Sequence, residues 1–383
     1  LNRIYLDHAA TSPVHPEAAE AMRPYLTEMF GNPSSTHHFG RQSRSGLDRS
    51  RRSIAAAIGA APEDIVFTGG GTEADNLAVL GYVRHHRPKE GGHVITCQTE
   101  HHGVLYACRQ LEREGIEVTY LPVDEYGRIT PLDLQEALRT DTLLVTLMTA
   151  NNETGVVHPV EEFAAVLNDH PAVFHTDAVQ ALGKMDINVQ TNGVDMLAAS
   201  AHKFNGPNGI GFLYVRPGIQ LDPLLFGGQQ ERGRRAGTEN TAGAVGMSRA
   251  LELSLEHLQE RQENFTGMKQ KMSEQLQASG ITFHVNGSGT SVLPNVMNIS
   301  FPDADVEQLL MNLDIEGIAV SSGSACTAGS VEPSHVLTAM FGDTPRSRAA
   351  VRFSFGLGTE PAHVEKAAEA VVRVMDRMKA AKL

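Results

Sequence analysis

The chain has 383 residues, 41% of them hydrophobic, which fits an ordinary soluble enzyme. It carries 32 basic and 45 acidic residues for a net charge of −13, so a nucleic-acid-coating surface is not expected, nor direct nucleic-acid binding. No apolar run approaches the roughly 20 residues of a membrane span, and three scattered cysteines make no disulfide framework, so a cytoplasmic protein is expected.

Short apolar runs alternate with helical stretches over the first two thirds of the chain. Residues 64–68 (DIVFT), 93–97 (HVITC), 116–121 (IEVTYL), 142–148 (TLLVTLM), 172–177 (AVFHTD) and 194–200 (VDMLAAS) read as buried strands. Amphipathic pieces such as residues 101–115 and 160–170 lie between most of them. This alternation predicts a mostly parallel sheet with helices on both faces. Residues 209–215 (GIGFLYV) read as an antiparallel addition, which makes a seventh strand.

Residues 239–279 have no proline and are helical in composition. Their charged half is expected to bridge two domains. Beyond them come residues 295–301 (NVMNISF), a helix near 306–313, residues 317–322 (GIAVSS), residues 349–355 (AAVRFSF) and a terminal helix. These form a smaller α+β unit. The expected division is 13–260 for the large domain and 261–383 for the small one, with 1–12 packing on the small one.

Ligands of open α/β sheets sit at the carboxyl ends of strands. Here five of the six ends carry polar residues. After DIVFT come Gly69, Gly70, Gly71 and Thr72, a glycine-rich helix start that suits an anion or merely makes a turn. It is neither a Walker A loop nor a dinucleotide fingerprint. After HVITC come Glu100, His101 and His102; after TLLVTLM come Asn152 and Glu153. Asp177 and Gln180 follow AVFHT, and Ser200, His202 and Lys203 follow VDMLAA. Taken singly, Asp177 also reads as a helix cap, His101 as a helix start and Lys203 as a solvated loop lysine.

Taken together they match what a pyridoxal 5'-phosphate site needs. Lys203 supplies an amine for a Schiff base, Asp177 a carboxylate for the ring nitrogen and His101 a ring to stack. Thr72, Ser200 and His202 supply donors for the phosphate. Asn152 could contact the ring hydroxyl or a substrate carboxylate, and Gln180 the ring oxygen. A zinc site from Cys97, His101 and His102 is conceivable but lacks a paired ligand spacing.

The stretches YLDHAATSP, FGNPSSTHHFGR, FTGGGTEADNLA, TEHHGV, NNETGVV, HTDAVQALGK, SAHKFNGPNGIGFLYVR, GGQQERGRRAGTEN, SSGSACT and VRFSFG run in order along nearly the whole chain. Together they closely resemble cysteine desulfurases of the NifS/IscS type, a class V branch of the fold-type I pyridoxal phosphate enzymes. The resemblance implies the α/β fold of the aspartate aminotransferase-like transferases, with a mostly parallel seven-stranded sheet in a large domain and a smaller α+β domain. It implies Lys203 as the Schiff-base lysine, Asp177 on the pyridinium nitrogen, Gln180 on the ring oxygen and His101 as stacking acid or base. It implies Gly71, Thr72, Ser200 and His202 at the phosphate. Thr238 matches a residue that reaches the phosphate of a neighbouring subunit, which implies a homodimer. Asn152 and Arg352 are implied to bind the substrate carboxylate.

The same resemblance makes Cys326 the nucleophile. It sits among serines, glycines and alanines in SSGSACTAGS, a run that imposes little packing. L-cysteine is then the substrate, alanine the product and a Cys326 persulfide the cargo. The implied acceptors are iron–sulfur scaffold proteins or tRNA thiolation enzymes such as a 2-thiouridylase. A selenocysteine lyase or an aminotransferase of the same fold is the alternative. Cys97 and Cys108 read as core or helix-face residues.

Overall fold

The computed structural model describes residues 3–88, 91–287, 291–322 and 333–380. Cys326 lies outside the described residues. Strand β1 (Ile4–Tyr5) precedes seven longer strands: β2 (Ile65–Thr68), β3 (His93–Cys97), β4 (Glu117–Leu121), β5 (Thr142–Thr146), β6 (Val173–Asp177), β7 (Met196–Ser200) and β8 (Gly211–Val215). These seven form one sheet in the order β2-β8-β7-β6-β5-β3-β4. The strands from β7 to β4 pair in parallel, and β8 is antiparallel to both β7 and β2. An antiparallel partner can be reached by a short connection, whereas a parallel one needs a crossover. The short β7–β8 connection is the one that carries Lys203.

Successive residues of a strand point to opposite faces, and here both faces are apolar. Ile95, Val145, Leu197 and Phe212 pack on one side with Leu47 and Ile54 of helix His38–Ala57 and Met247 and Leu251 of helix Thr241–Glu256. Their neighbours Val94, Leu144, Met196 and Leu213 pack on the other with Leu77, Val104 and Leu111. The alternating runs of the sequence therefore become a sheet covered on both sides.

The helical stretch at 239–279 is two helices, Thr241–Glu256 and Leu258–Ala278, broken where His257 leaves helical geometry at φ −120°. The second buries Phe265, Met268, Met272 and Leu276, one stripe of a 3.6-residue period, in a cluster shared with helix Pro361–Ala380.

A second sheet uses β9 (His284–Asn286), β10 (Val296–Ser300), β12 (Ser321–Ser322) and β13 (Ala350–Ser354), all antiparallel. The run at 317–322 splits in two. Its first part, β11 (Ile318–Ala319), pairs in parallel with β1, and its second is β12. From β1 the chain runs on through Asp7, Ala9 and Ser12 toward the carboxyl ends of the large sheet.

Candidate active site

The carboxyl ends of five large-sheet strands converge on a cavity of about 330 Å³. Gly71, Thr72, His101, Asn152, Asp177, Gln180, Ser200, His202, Lys203 and Arg352 all line it. Each of the first nine stands at or just after the end of a strand, and Arg352 comes from β13 of the smaller sheet.

Lys203 ends the turn Ala201–Lys203 that follows β7. Its Nζ donates to the carbonyl oxygens of Ala9 and Ala10 at 2.7 and 2.8 Å. The N-terminal segment is thus part of the site. It is locked there by Ser12 Oγ, which donates to His202 O at 2.6 Å and accepts from Asn205 N at 2.8 Å.

Asp177 is the last residue of β6 and is 6% exposed. Its Oδ1 accepts the Val179 N–H at 2.8 Å. Burial pushes its carboxyl up to about 6, while the Val179 hydrogen bond and the charge of Lys203 pull it down. His101 caps helix His102–Arg113, its Nδ1 accepting the Gly103 N–H at 3.0 Å. A neutral His101 therefore carries its proton on Nε2. Burial, then the neighbouring Lys203, pushes it down to about 4.

Gly71 opens the helix that follows β2, next to Ser200 at the end of β7. A Cβ at Gly71 would press on Val179 Cγ2 at 2.7 Å and touch Ser200 Cβ at 3.5 Å, so glycine leaves the most room for close approach. The first turn of a helix leaves N–H groups without intrahelical partners. With Thr72, Ser200 and His202 around them, these make a donor-lined corner. His202 Nδ1 lies 3.1 Å from Thr11 Oγ1.

At the other end, Arg352 is 2% exposed. It donates to Asn152 O at 2.8 Å, and to Asp7 Oδ1 and Ser321 Oγ at 3.0 Å each. Among the described residues, Arg352 Nε and Asn152 Oδ1 are buried without a hydrogen-bond partner. Two such groups on one wall are a place for a small polar ligand.

The family model for class-V aminotransferases matches residues 4–366. The chain belongs to the class-V aminotransferase family. It is 52% identical over 379 residues to the IscS 1 protein of Bacillus subtilis (strain 168), covering 99% of this chain and 100% of that one. It is 44% identical over 376 residues to the cysteine desulfurase IscS of Dictyoglomus turgidum, covering 98% of this chain and 95% of that one. The solved structure of a NifS-like protein superposes with a TM-score of 0.92 at 32% identity, covering 98% of this chain and 99% of that one. Within the class-V family the chain is an enzyme of the cysteine desulfurase, NifS/IscS type.

Several buried groups of this desulfurase's site had no assigned part in the sequence reading. Asp75, on the helix after β2, is fully buried with neither carboxyl oxygen hydrogen-bonded among the described residues. Its carboxyl and those of Asp177 and Glu100 crowd one another, and burial raises all three. Glu153 is buried and accepts from Ser334 Oγ, the cap of helix His335–Phe341. His335 packs against His102 with ring centroids 4.6 Å apart and the planes tilted by 31°, its Nε2 2.9 Å from Glu100 O. TEADN and EPSHV showed these residue types but not their neighbours, which lie far away in sequence.

Thr238 does not reach the cavity of its own chain. It is exposed and lines a separate cleft with Gly69 and Asn240. Cys97 and Cys108 are fully buried, as expected of core residues. The zinc grouping of Cys97, His101 and His102 does not form. Among the described residues the one cluster of ligand type is Asp75, His101 and Asp177, with atoms within 4.8 Å of one another.

Proposed function

We propose that this enzyme takes sulfur from L-cysteine, releases L-alanine and holds the sulfur as a persulfide on Cys326. The observation that carries the reading is the convergence of Lys203, Asp177, His101 and Arg352 on one cavity. The residues present fit pyridoxal 5'-phosphate. The corner at Gly71 is tight, a Cβ there pressing on Val179 Cγ2, and a buried carboxylate, an imidazole and an amine face the same space. When bound, the cofactor supplies an electron sink for the carbanion formed at the substrate α-carbon.

Gly71, Thr72, Ser200 and His202 hold the phosphate in this reading, and Thr238 is supplied by a second copy of the chain. When the cofactor is bound, Asp177 would meet the ring nitrogen, Gln180 the ring oxygen and His101 the ring face. Arg352 and Asn152 take the substrate carboxylate, for which planar guanidinium geometry is suited. The Lys203 amine moves the α-proton. His101, neutral before the reaction, takes the proton of the incoming thiol to become imidazolium, its Nδ1 releasing the Gly103 N–H, and then gives a proton to the carbon fragment; acid–base help of this kind contributes about 10²–10⁴-fold.

The thiolate of Cys326 attacks the substrate sulfur. The new S–S bond forms as the Cβ–S bond breaks, its electrons stay with the carbon fragment, and that fragment is protonated to alanine. No external oxidant is needed. The persulfide then passes to an iron–sulfur scaffold or a tRNA thiolation enzyme. The reading includes a cytoplasmic homodimer with a large domain over 13–260 and a small one over 261–383. A transaminase or a selenocysteine lyase on this fold is the competing reading, and a transaminase has no use for Cys326.

Borohydride reduction of the loaded enzyme should fix the cofactor on the Lys203 peptide. A colourless protein with no such adduct overturns the cofactor reading. Cys326→Ser should stay yellow and lose transfer of labelled sulfur. Full sulfur release from that variant overturns the persulfide step.

A further inference from the structure

Lys184 has no part in the reaction just described. Its side chain is 5% exposed, and its Nζ donates to Gln180 Oε1 at 2.8 Å, its one hydrogen-bond acceptor among the described residues. Burying an amine with so little compensation is costly. Burial, with Lys203 and Arg261 nearby, holds it well below the usual lysine range. A methionine would fill the space without that cost, so what the amine touches is informative.

Gln180 is held from both sides. Its Nε2 donates to Ala9 O at 2.9 Å, the same carbonyl that takes Lys203 Nζ at 2.7 Å. A carbonyl only accepts, so the Gln180 nitrogen must face Ala9 and its oxygen must face Lys184. An amide nitrogen has two N–H groups. One is used by Ala9; the other has no acceptor among the described residues, and Gln180 lines the cavity.

The amine itself is firmly placed. Lys184 N donates to Ala181 O at 3.0 Å, and Lys184 O accepts Gln262 Nε2 at 2.8 Å from helix Leu258–Ala278. The turn before it passes through Gly183 at φ +74°, where a Cβ would meet Phe204 Cβ at 2.9 Å. The chain Lys184–Gln180–Ala9–Lys203 is therefore a fixed row of hydrogen bonds beside the cavity.

We propose that Lys184 is a positioning residue that locks the Gln180 amide so that its second N–H is presented to the ring oxygen of the bound cofactor. This rests on the cofactor reading above. Without Lys184, Gln180 Oε1 loses its donor and the amide is free to turn.

The test compares Lys184→Met, Lys184→Gln and Gln180→Ala with the wild-type enzyme, each loaded with pyridoxal 5'-phosphate. The pH titration of the visible absorption band and the cofactor dissociation constant are measured, with thermal unfolding as a check on folding. An N–H to the ring oxygen favours its ionised form. Lys184→Met should therefore move the titration midpoint to higher pH by about half a unit, in the direction of Gln180→Ala. Its dissociation constant should rise about tenfold. Lys184→Gln keeps a neutral N–H and should recover part of both. A Lys184→Met enzyme that titrates like wild type while Gln180→Ala is shifted overturns the proposal and leaves the Gln180 contact standing. No shift in either variant overturns both. Equal shifts in Lys184→Met and Lys184→Gln also overturn it, because charge rather than a donor is then what matters.

Discussion

Arg352 donates to Asp7 Oδ1 at 3.0 Å and so ties β13 of the smaller sheet to the N-terminal segment at the wall of the cavity. The ion pair explains how a guanidinium can be 2% exposed there, since a buried charge needs a partner. It does not exhaust the side chain. Its Nε has no partner among the described residues and so remains to donate to an anionic ligand.

Arg352→Lys should therefore weaken capture of the substrate carboxylate. A lysine keeps the charge but not the planar fork. KM for L-cysteine should rise about tenfold to a hundredfold, with a smaller fall in kcat. Alanine release against cysteine concentration reads both. An unchanged KM would remove Arg352 from substrate binding.

Much of this site was legible because the strands are. Runs such as HVITC and VDMLAA are buried on both faces, so they stand out as apolar, and the polar residue that ends each must lie on one rim. What could not be read was contact between distant segments. Ala9 and Ala10 act through backbone carbonyls, which carry no residue signature at all. Asp75 and Lys184 look like ordinary helix and loop charges until the fold buries them. Strand β9 was missed because it is three residues long with two of them exposed, which leaves no apolar period to detect. The break at His257 was missed because neither proline nor glycine marks it.

Gly71→Ala tests the donor corner. The added methyl group would press on Val179 Cγ2, which lines the cavity. A valine methyl can shift, so stability should fall by only about 1 kcal/mol. The cofactor dissociation constant should rise about tenfold or more, because the helix start can no longer be approached closely. Equilibrium dialysis with pyridoxal 5'-phosphate and thermal unfolding measure the two effects separately. A large loss of stability with unchanged cofactor affinity would make Gly71 a packing residue only.

The three cysteines should differ sharply toward alkylation. Burial pushes the thiols of Cys97 and Cys108 up to about 12, so neither offers thiolate at neutral pH or access to reagent. Brief treatment of the native enzyme with iodoacetamide should label Cys326 alone, and Cys326→Ser should take up no label until urea is added. Peptide mass spectrometry reads the result. Native labelling of Cys97 or Cys108 would contradict the burial.

A pH effect on stability follows from His158, which lies away from the cavity. It is 3% exposed, and neither ring nitrogen has a partner among the described residues. Burial pushes it down to about 4, against a slight upward pull from Asp124. In the unfolded chain an ordinary histidine binds its proton near pH 6.5. As pH falls below that value the unfolded state gains a proton that the folded state refuses, so His158 costs stability progressively from about pH 6.5 down to 4. Buried carboxyls such as Glu100 and Glu153 are raised and act in the opposite sense, losing stability as pH rises. Their contribution cancels when two proteins that both contain them are compared. His158→Leu should therefore gain about 2–3 kcal/mol on wild type between pH 7.5 and pH 4.5, whatever its offset at pH 7.5. Urea unfolding at the two pH values measures the difference. A gap between variant and wild type that stays constant across that range would mean that His158 titrates alike in the folded and unfolded chain.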